Sequence, residues 1–272
     1  MTDLAKLAIH TMTTKPWSLA KSVDAFARAG VGGITVWRQH LLPYGAAEGA
    51  RMIKAAGLTC TALCRGGFFP ARDATGRQAA IADNRRAIAD AHALGAPMLV
   101  LVCGAVPELP LMESRSMIED GIRAIEPEAR AAGVALAIEP LHPQYAADRS
   151  AITTLGEARR LCERIASPWV RIALDVYHVW WDPEVGDEIA RCGSAGLTAG
   201  FHICDWRVPT RDPLNDRAIM GEGVIEVAAL RRQVRAAGFA GFDEVEIFSD
   251  ELWAQDQDAV LARIIAAYRS LD

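Results

Sequence analysis

RAAGVALAIEP, residues 130–140, decides the fold. Its first four residues close an amphipathic segment: a glycine after the last turn of a helix takes the left-handed conformation that ends it. The residues from Val134 to Ile138 are apolar on both faces, as a parallel strand covered by helices must be. The strand then stops on a carboxylate, Glu139, followed by Pro140, which cannot extend a ladder. The same punctuation recurs as ARAG-VGGITVW (27–37), KAAG-LTCTALC (54–64), HALG-APMLVLVCG (92–104) and RAAG-FAGFDEVEIF (235–248).

Reading outward from these junctions predicts strands over 5–12, 33–38, 58–64, 97–103, 134–139, 170–176, 199–205 and 242–248. Helical patterns fill the gaps at 18–29, 44–56, 77–94, 115–132, 154–166, 183–192, 224–237 and 254–269. Eight β-then-α units in 272 residues predict an α/β chain forming a single (β/α)8 TIM barrel, with residues 1–272 as one domain. A doubly wound sheet would carry a Gly-rich fingerprint after its first strand. Here that strand runs into HTMTTKPWS, which has no glycine.

Length and composition agree with a chain that buries a large core. The chain is 51% hydrophobic and 23% charged, with a net charge of −5, which argues against a general nucleic-acid binder. The longest apolar run, near 96–106, is too short to span a bilayer, so no membrane segment is expected. The N-terminus shows no signal peptide, and the six cysteines include no CxxC pair. Both features point to a cytoplasmic protein with buried free thiols.

In a barrel of this kind the chemistry sits where the strands end. Strand five ends at Glu139. Strand six, RIALDVYH, carries Asp175 and then His178. Strand seven, AGFHICDW, carries His202 and then Asp205. Strand eight, DEVEIF, carries Glu244 and Glu246. A strand-end carboxylate alone would more simply cap the next helix. Three carboxylates converging in an apolar mouth would repel one another without a cation. Glu139, Asp175, His202 and Glu246 are therefore expected to hold one divalent cation. Oxygen-rich ligation with one imidazole suits Mn²⁺, Mg²⁺ or Co²⁺ better than a thiolate-loving structural zinc site.

On these residues the chain resembles the xylose-isomerase-like barrels, the superfamily of sugar isomerases and epimerases, ketose 3-epimerases and endonuclease IV. The matching segments are IEP at Glu139, LDVYH at Asp175, FHICD at His202 and VEIF at Glu246. GEGVIEVAAL (221–230) matches a family Gly-Glu-Gly loop. The resemblance implies one divalent metal, usually manganese, on those four residues, and a substrate-facing role for His178. It implies a keto-sugar or glycoside as the small-molecule ligand.

Such a metal polarises a sugar carbonyl while a base takes the neighbouring proton. The outcome is isomerisation, epimerisation or elimination. The epimerases usually have asparagine near the position of His142, and their two ligand glutamates move the proton. An imidazole there is a natural base. Glu-x-x-His in EPLHPQYAADRS also resembles the catalytic subunit of C-glycoside deglycosidases, which expel an aglycone from a 3-oxo-glycoside and work with a small β-sandwich subunit. The expected catalytic residues are thus His142, Glu139 and Glu246. Elimination is the first reading, and ketose 3-epimerase or aldose-ketose isomerase the alternative. For the assembly, the resemblance leaves open a β-sandwich partner or a homo-oligomer. The more remote alternatives are a non-catalytic sugar-binding barrel and an endonuclease IV-like phosphodiesterase, which would need more histidines than the six present.

His178, Arg207, Trp37, Trp181 and His10 are the expected substrate contacts. Trp37, Trp181 and Trp206 suit a sugar face or an aromatic aglycone, and equally the covering of a core. Arg207, Arg211 and Arg217 all follow strand seven, where related enzymes place a substrate arginine. The runs Cys103-Gly104 and Arg65-Gly66-Gly67-Phe68-Phe69 are expected as small or apolar walls. With no phosphate-cradling motif in view, a sugar phosphate is not expected.

Overall fold

The computed structural model describes residues 3–271. Eight parallel strands close into one barrel: β1 (Leu7–His10), β2 (Gly33–Trp37), β3 (Thr59–Gly67), β4 (Met98–Val102), β5 (Ala135–Glu139), β6 (Val170–Asp175), β7 (Thr198–Ile203) and β8 (Asp243–Val245). Each pairs with its neighbours in chain order, and β8 pairs with β1 to close the ring. The outer helices are α1 (Leu19–Arg28), α2 (Ala46–Ala55), α3 (Ala74–Leu94), α4 (Leu111–Ala132), α5 (Leu155–Ile165), α6 (Val185–Ser194), α7 (Val227–Ala236) and α8 (Gln257–Arg269). All five glycines of the repeated junction, Gly30, Gly57, Gly95, Gly133 and Gly238, have positive φ, between 68° and 97°. That is the conformation which lets a helix stop and a strand begin.

Away from the register shifts at β2–β3, β3–β4 and β6–β7, the strand interiors alternate. Leu136, Ile138, Ile172, Leu174, Phe201 and Val245 face outward into the large core shared with the helices. Ala62, Cys64, Met98, Val100, Ala137 and Ala173 face inward. Burying each large aliphatic side chain is worth about 1.5–3 kcal/mol, so most of the stability lies between sheet and helices. The inner layer uses small residues, which leave room, and polar ones. Thr35 and Thr61 both donate through Oγ1 to Glu244 Oε2, at 2.6 and 2.7 Å. Glu244 is thereby part of the barrel floor.

The expected strand boundaries shift most at the third, first, seventh and eighth strands; the third runs on to Gly67. The first strand begins at Leu7, because Asp3 caps a short helical turn over Leu4–Lys6. The seventh stops at Ile203, and the segment 205–206 pairs antiparallel with Arg217–Ala218 in a separate ribbon. The eighth stops at Val245, since the Ile247 N–H donates to Thr13 Oγ1. All six cysteines are buried and free. Among the described residues, no helix is long and apolar enough to cross a membrane.

Candidate metal centre

Parity and strand endings deliver the four expected ligands. Ala135, Ala137 and Glu139 point inward in turn along β5, as do Ala173 and Asp175 along β6. Asp175 lies opposite His202 in the ladder between β6 and β7. Glu246 is the first residue past β8. Glu139, Asp175, His202 and Glu246 each offer a ligand atom, and these atoms all lie within 4.8 Å of one another. The four residues are between 0 and 4% exposed. A second grouping, His10, His202 and Glu246, shares two of them.

Charge in this dry mouth is compensated pair by pair. His202 Nδ1 lies 2.9 Å from Glu139 Oε1. Arg217 donates from Nη1 to Asp175 Oδ2 and Glu246 Oε2, both at 2.9 Å. Burial raises the Asp175 carboxyl to about 7, although Arg217 opposes the shift. Burial would lower the His202 imidazole, but the Glu139 hydrogen bond and the surrounding carboxylates push it up to about 10. Burial alone would raise Glu246. The charges of His10 and Arg217 hold it well below the usual carboxylate range.

The donor set fits a divalent cation. His202 Nε2 is buried with no hydrogen-bond partner, an arrangement rare in folded proteins. Three carboxylates and one imidazole would satisfy a hard or borderline ion.

Beside the ligands lies a cavity of about 200 Å³. That is smaller than the ~300–1,000 Å³ typical of drug-sized ligands, and suits a small molecule. Glu139, Glu246, His178 and Arg217 line its polar side. Trp37 and Phe248 form one apolar wall, their rings 5.2 Å apart in a T-shaped contact. Leu141 and Tyr145 form another. His178 is among the lining residues. Its Nδ1 accepts the His142 N–H, and its Nε2 lies 3.2 Å from Arg217 Nη2. Burial and the charge of Arg217 hold this imidazole well below its ordinary value, so it is neutral.

Four of the expected site residues are not among the residues that line this cavity. The His142 imidazole is not among the cavity-lining groups. Its Nδ1 accepts the Gln144 N–H, and its ring packs 5.0 Å from Trp206 and 5.7 Å from Trp181. The turn after Pro140 therefore presents Leu141 and Tyr145 to the cavity and turns His142 aside. Trp181 likewise lies outside the lining, its Nε1 donating to the His178 carbonyl. His10 lies beneath the ligands, its Nδ1 3.0 Å from Glu246 Oε1, and touches no cavity surface. Arg207 is held by Asp216 at 3.0 Å, away from the centre.

The arginine that enters is Arg217, on the ribbon with Asp205–Trp206. Sequence reading named it beside Arg207 and Arg211 without singling it out. What separates them is the pairing of residues 205–206 with 217–218, which has no local periodicity to betray it.

A family described as xylose isomerase-like TIM barrel matches residues 23–270. A solved protein of Sinorhizobium meliloti 1021, SMc04130, is 48% identical over 98% of both chains, with a TM-score of 0.96. The IolI protein with a bound zinc atom is 18% identical, covering 98% of this chain and 97% of its own, with a TM-score of 0.86. The 3-keto-D-glucoside 4-epimerase YcjR of E. coli is 22% identical over 97% of this chain and 99% of its own, with a TM-score of 0.79. The last two likenesses show the shared barrel. A comparison with curated proteins finds no match.

Proposed function

The chain belongs to the xylose isomerase-like TIM barrel family, and on that premise we propose a divalent-metal-dependent enzyme that moves a proton on the carbon beside a keto-sugar carbonyl, as isomerases and epimerases do. The observation that carries this reading is the double position of Glu139 and Glu246. Both belong to the four-ligand set, and both line the cavity.

Glu139, Asp175, His202 and Glu246 would hold the ion, with Mn²⁺ the first choice for so oxygen-rich a set. When bound it supplies Lewis acidity at the carbonyl oxygen. Glu246 stays ionised at neutral pH and can accept a proton. Arg217 and the neutral His178 orient the sugar's oxygens. Trp37 and Phe248 cover the site and exclude water, which strengthens each charge interaction inside.

Elimination from a 3-oxo-glycoside rests on His142 as the base, and that imidazole is not among the cavity-lining groups. His142→Ala is accordingly expected to lower turnover by far less than the ~10²–10⁴-fold that loss of a proton-transfer base costs. Its structural effect is that of a lost cap on the turn at Pro143–Tyr145, about 1 kcal/mol.

The test is proton exchange. Protein stripped with a chelator and reloaded with Mn²⁺ is incubated in D₂O with a ketose and with a 3-keto-glucoside, and the carbon beside the carbonyl is followed by NMR. Metal-dependent deuterium incorporation is the expected result. Equal rates with and without metal would overturn the reading. Release of an aglycone that fails in His142→Ala would restore elimination.

A further inference from the structure

Two arginines at the cavity have no anionic partner. Arg65 and Arg149 both line it. Their side chains make no ion pair or side-chain hydrogen bond among the described residues. Each guanidinium rests on an aromatic ring instead, Arg65 on Phe68 at 4.2 Å and Arg149 on Tyr145 at 5.9 Å. Elsewhere each of the centre's carboxylates has a cationic or imidazole neighbour: Arg217 serves both Asp175 and Glu246, and His202 lies beside Glu139. None of these carboxylates is hydrogen-bonded to Arg65 or Arg149.

The backbone aims both side chains on purpose. Cys64 faces into the barrel, so period-two alternation would send Arg65 outward to the helices. The β3–β4 register shifts between Cys64 and Gly66, a bulge centred on Arg65. Bulges beside active sites re-aim a side chain, and here the charge goes to the cavity. Arg149 is anchored by its own carbonyl, which accepts the Gly104 N–H at 2.8 Å, and by the bridge from Ser150 to Gly104. Burial first, and then the nearby charge of Arg149, lower Arg65 from its ordinary value, against a smaller opposing pull from Glu139, which lies in the same cavity without bonding to it. Two like charges held together at a cavity wall cost free energy until an anion arrives.

We infer that Arg65 and Arg149 form an anion subsite, and that the sugar this enzyme handles carries a carboxylate there. This rests on the keto-sugar reading only for the reacting end. A fork of guanidinium donors matches a carboxylate bidentately, and a carboxylate is the smaller anion for a cavity of about 200 Å³ already shared with the sugar.

Binding without turnover tests it. Calorimetry on the Mn²⁺-loaded protein compares D-gluconate with D-sorbitol, its uncharged counterpart, neither of which has a carbonyl to react. Gluconate is expected to bind roughly tenfold tighter or more, the worth of a charged bidentate contact. Arg149→Met and Arg65→Met should each remove most of that preference, and Arg149→Lys should keep part of it. Sorbitol binding should not change, and thermal unfolding shows that the variants fold. A gluconate preference that survives both methionine variants would overturn the subsite, since a contribution from the metal would be common to all. Stronger Arg149-dependent binding of inorganic phosphate than of gluconate would overturn the carboxylate in favour of a phosphoryl group. In the exchange assay, 5-keto-D-gluconate should outperform L-sorbose, its neutral counterpart, mainly through KM. Absence of exchange with both would sink the reaction and leave the gluconate result standing.

Discussion

Asp175→Asn is expected to leave a folded barrel that no longer holds a divalent ion or turns over. Asn keeps the shape of the side chain and an oxygen for the Tyr177 N–H, which now donates to Asp175 Oδ1 at 2.8 Å. What it removes is the charge, one of three carboxylates in the ligand set. Changes to groups that merely support metal ligands cost about 10–100-fold in affinity, so loss of a ligand's charge should cost at least that much. If the ion supplies about 4 kcal/mol of transition-state stabilisation, the rate falls roughly 10³-fold. Two measurements check this. Metal content after dialysis should fall in the variant. Mn²⁺ at about 100 times its dissociation constant should stabilise the wild type by ~2.7 kcal/mol and the variant hardly at all. An equal rise in Tm for both proteins would place the ion elsewhere.

The clustering of the four candidate ligands could be read in the sequence because their placement obeys local rules. A helix-closing glycine fixes where five of the strands begin, and two-residue alternation then makes every second position an inward one, as at Ala135, Ala137 and Glu139. A carboxylate at the last inward position must sit in the barrel mouth. The illegible residues are those whose direction is set by something else. Arg65 is displaced from its parity by a bulge. His142 sits in a turn, where no period predicts which way a side chain points. Arg217 reaches the centre because its short strand pairs with one more than ten residues earlier in the chain. Arg207 and Arg211 carry the same side chain, but Asp216 holds both of them. Nothing in RVPTRDPLNDRAI alone ranks these three.

That pairing depends on one carboxylate, and Asp205→Ala is expected to be the most destabilising single change in the loops around the site. Asp205 is fully buried just past β7. Its Oδ2 accepts the N–H groups of Gly221 and Gly223, each at 2.9 Å, and its Oδ1 those of Trp206 at 2.8 Å and Ile225 at 2.9 Å. The Gly-Glu-Gly stretch at 221–223 is shaped for this contact. Gly221 has a φ of +88°, and a Cβ on Gly223 would lie 2.4 Å from Asp205 Oδ1 and 2.3 Å from the Trp206 carbonyl oxygen. Glu222 points the other way and pairs with Arg263 at 2.8 Å. Alanine at 205 orphans four backbone donors, each worth about 1–3 kcal/mol when left buried. The donors at Gly221, Gly223 and Trp206 are partly open to water and recover some of that, so about 3–4 kcal/mol is expected, or roughly 10 °C in Tm for a chain of this size. The same loop carries Arg217 into the cavity, so substrate KM should rise along with the loss of stability. Asp205→Asn should fall between alanine and wild type, because its amide keeps an acceptor but turns a donor toward the loop's N–H groups. Thermal unfolding of the three proteins decides the matter: a drop in Asp205→Ala no larger than that of an ordinary surface substitution would mean that the loop holds its shape without this carboxylate.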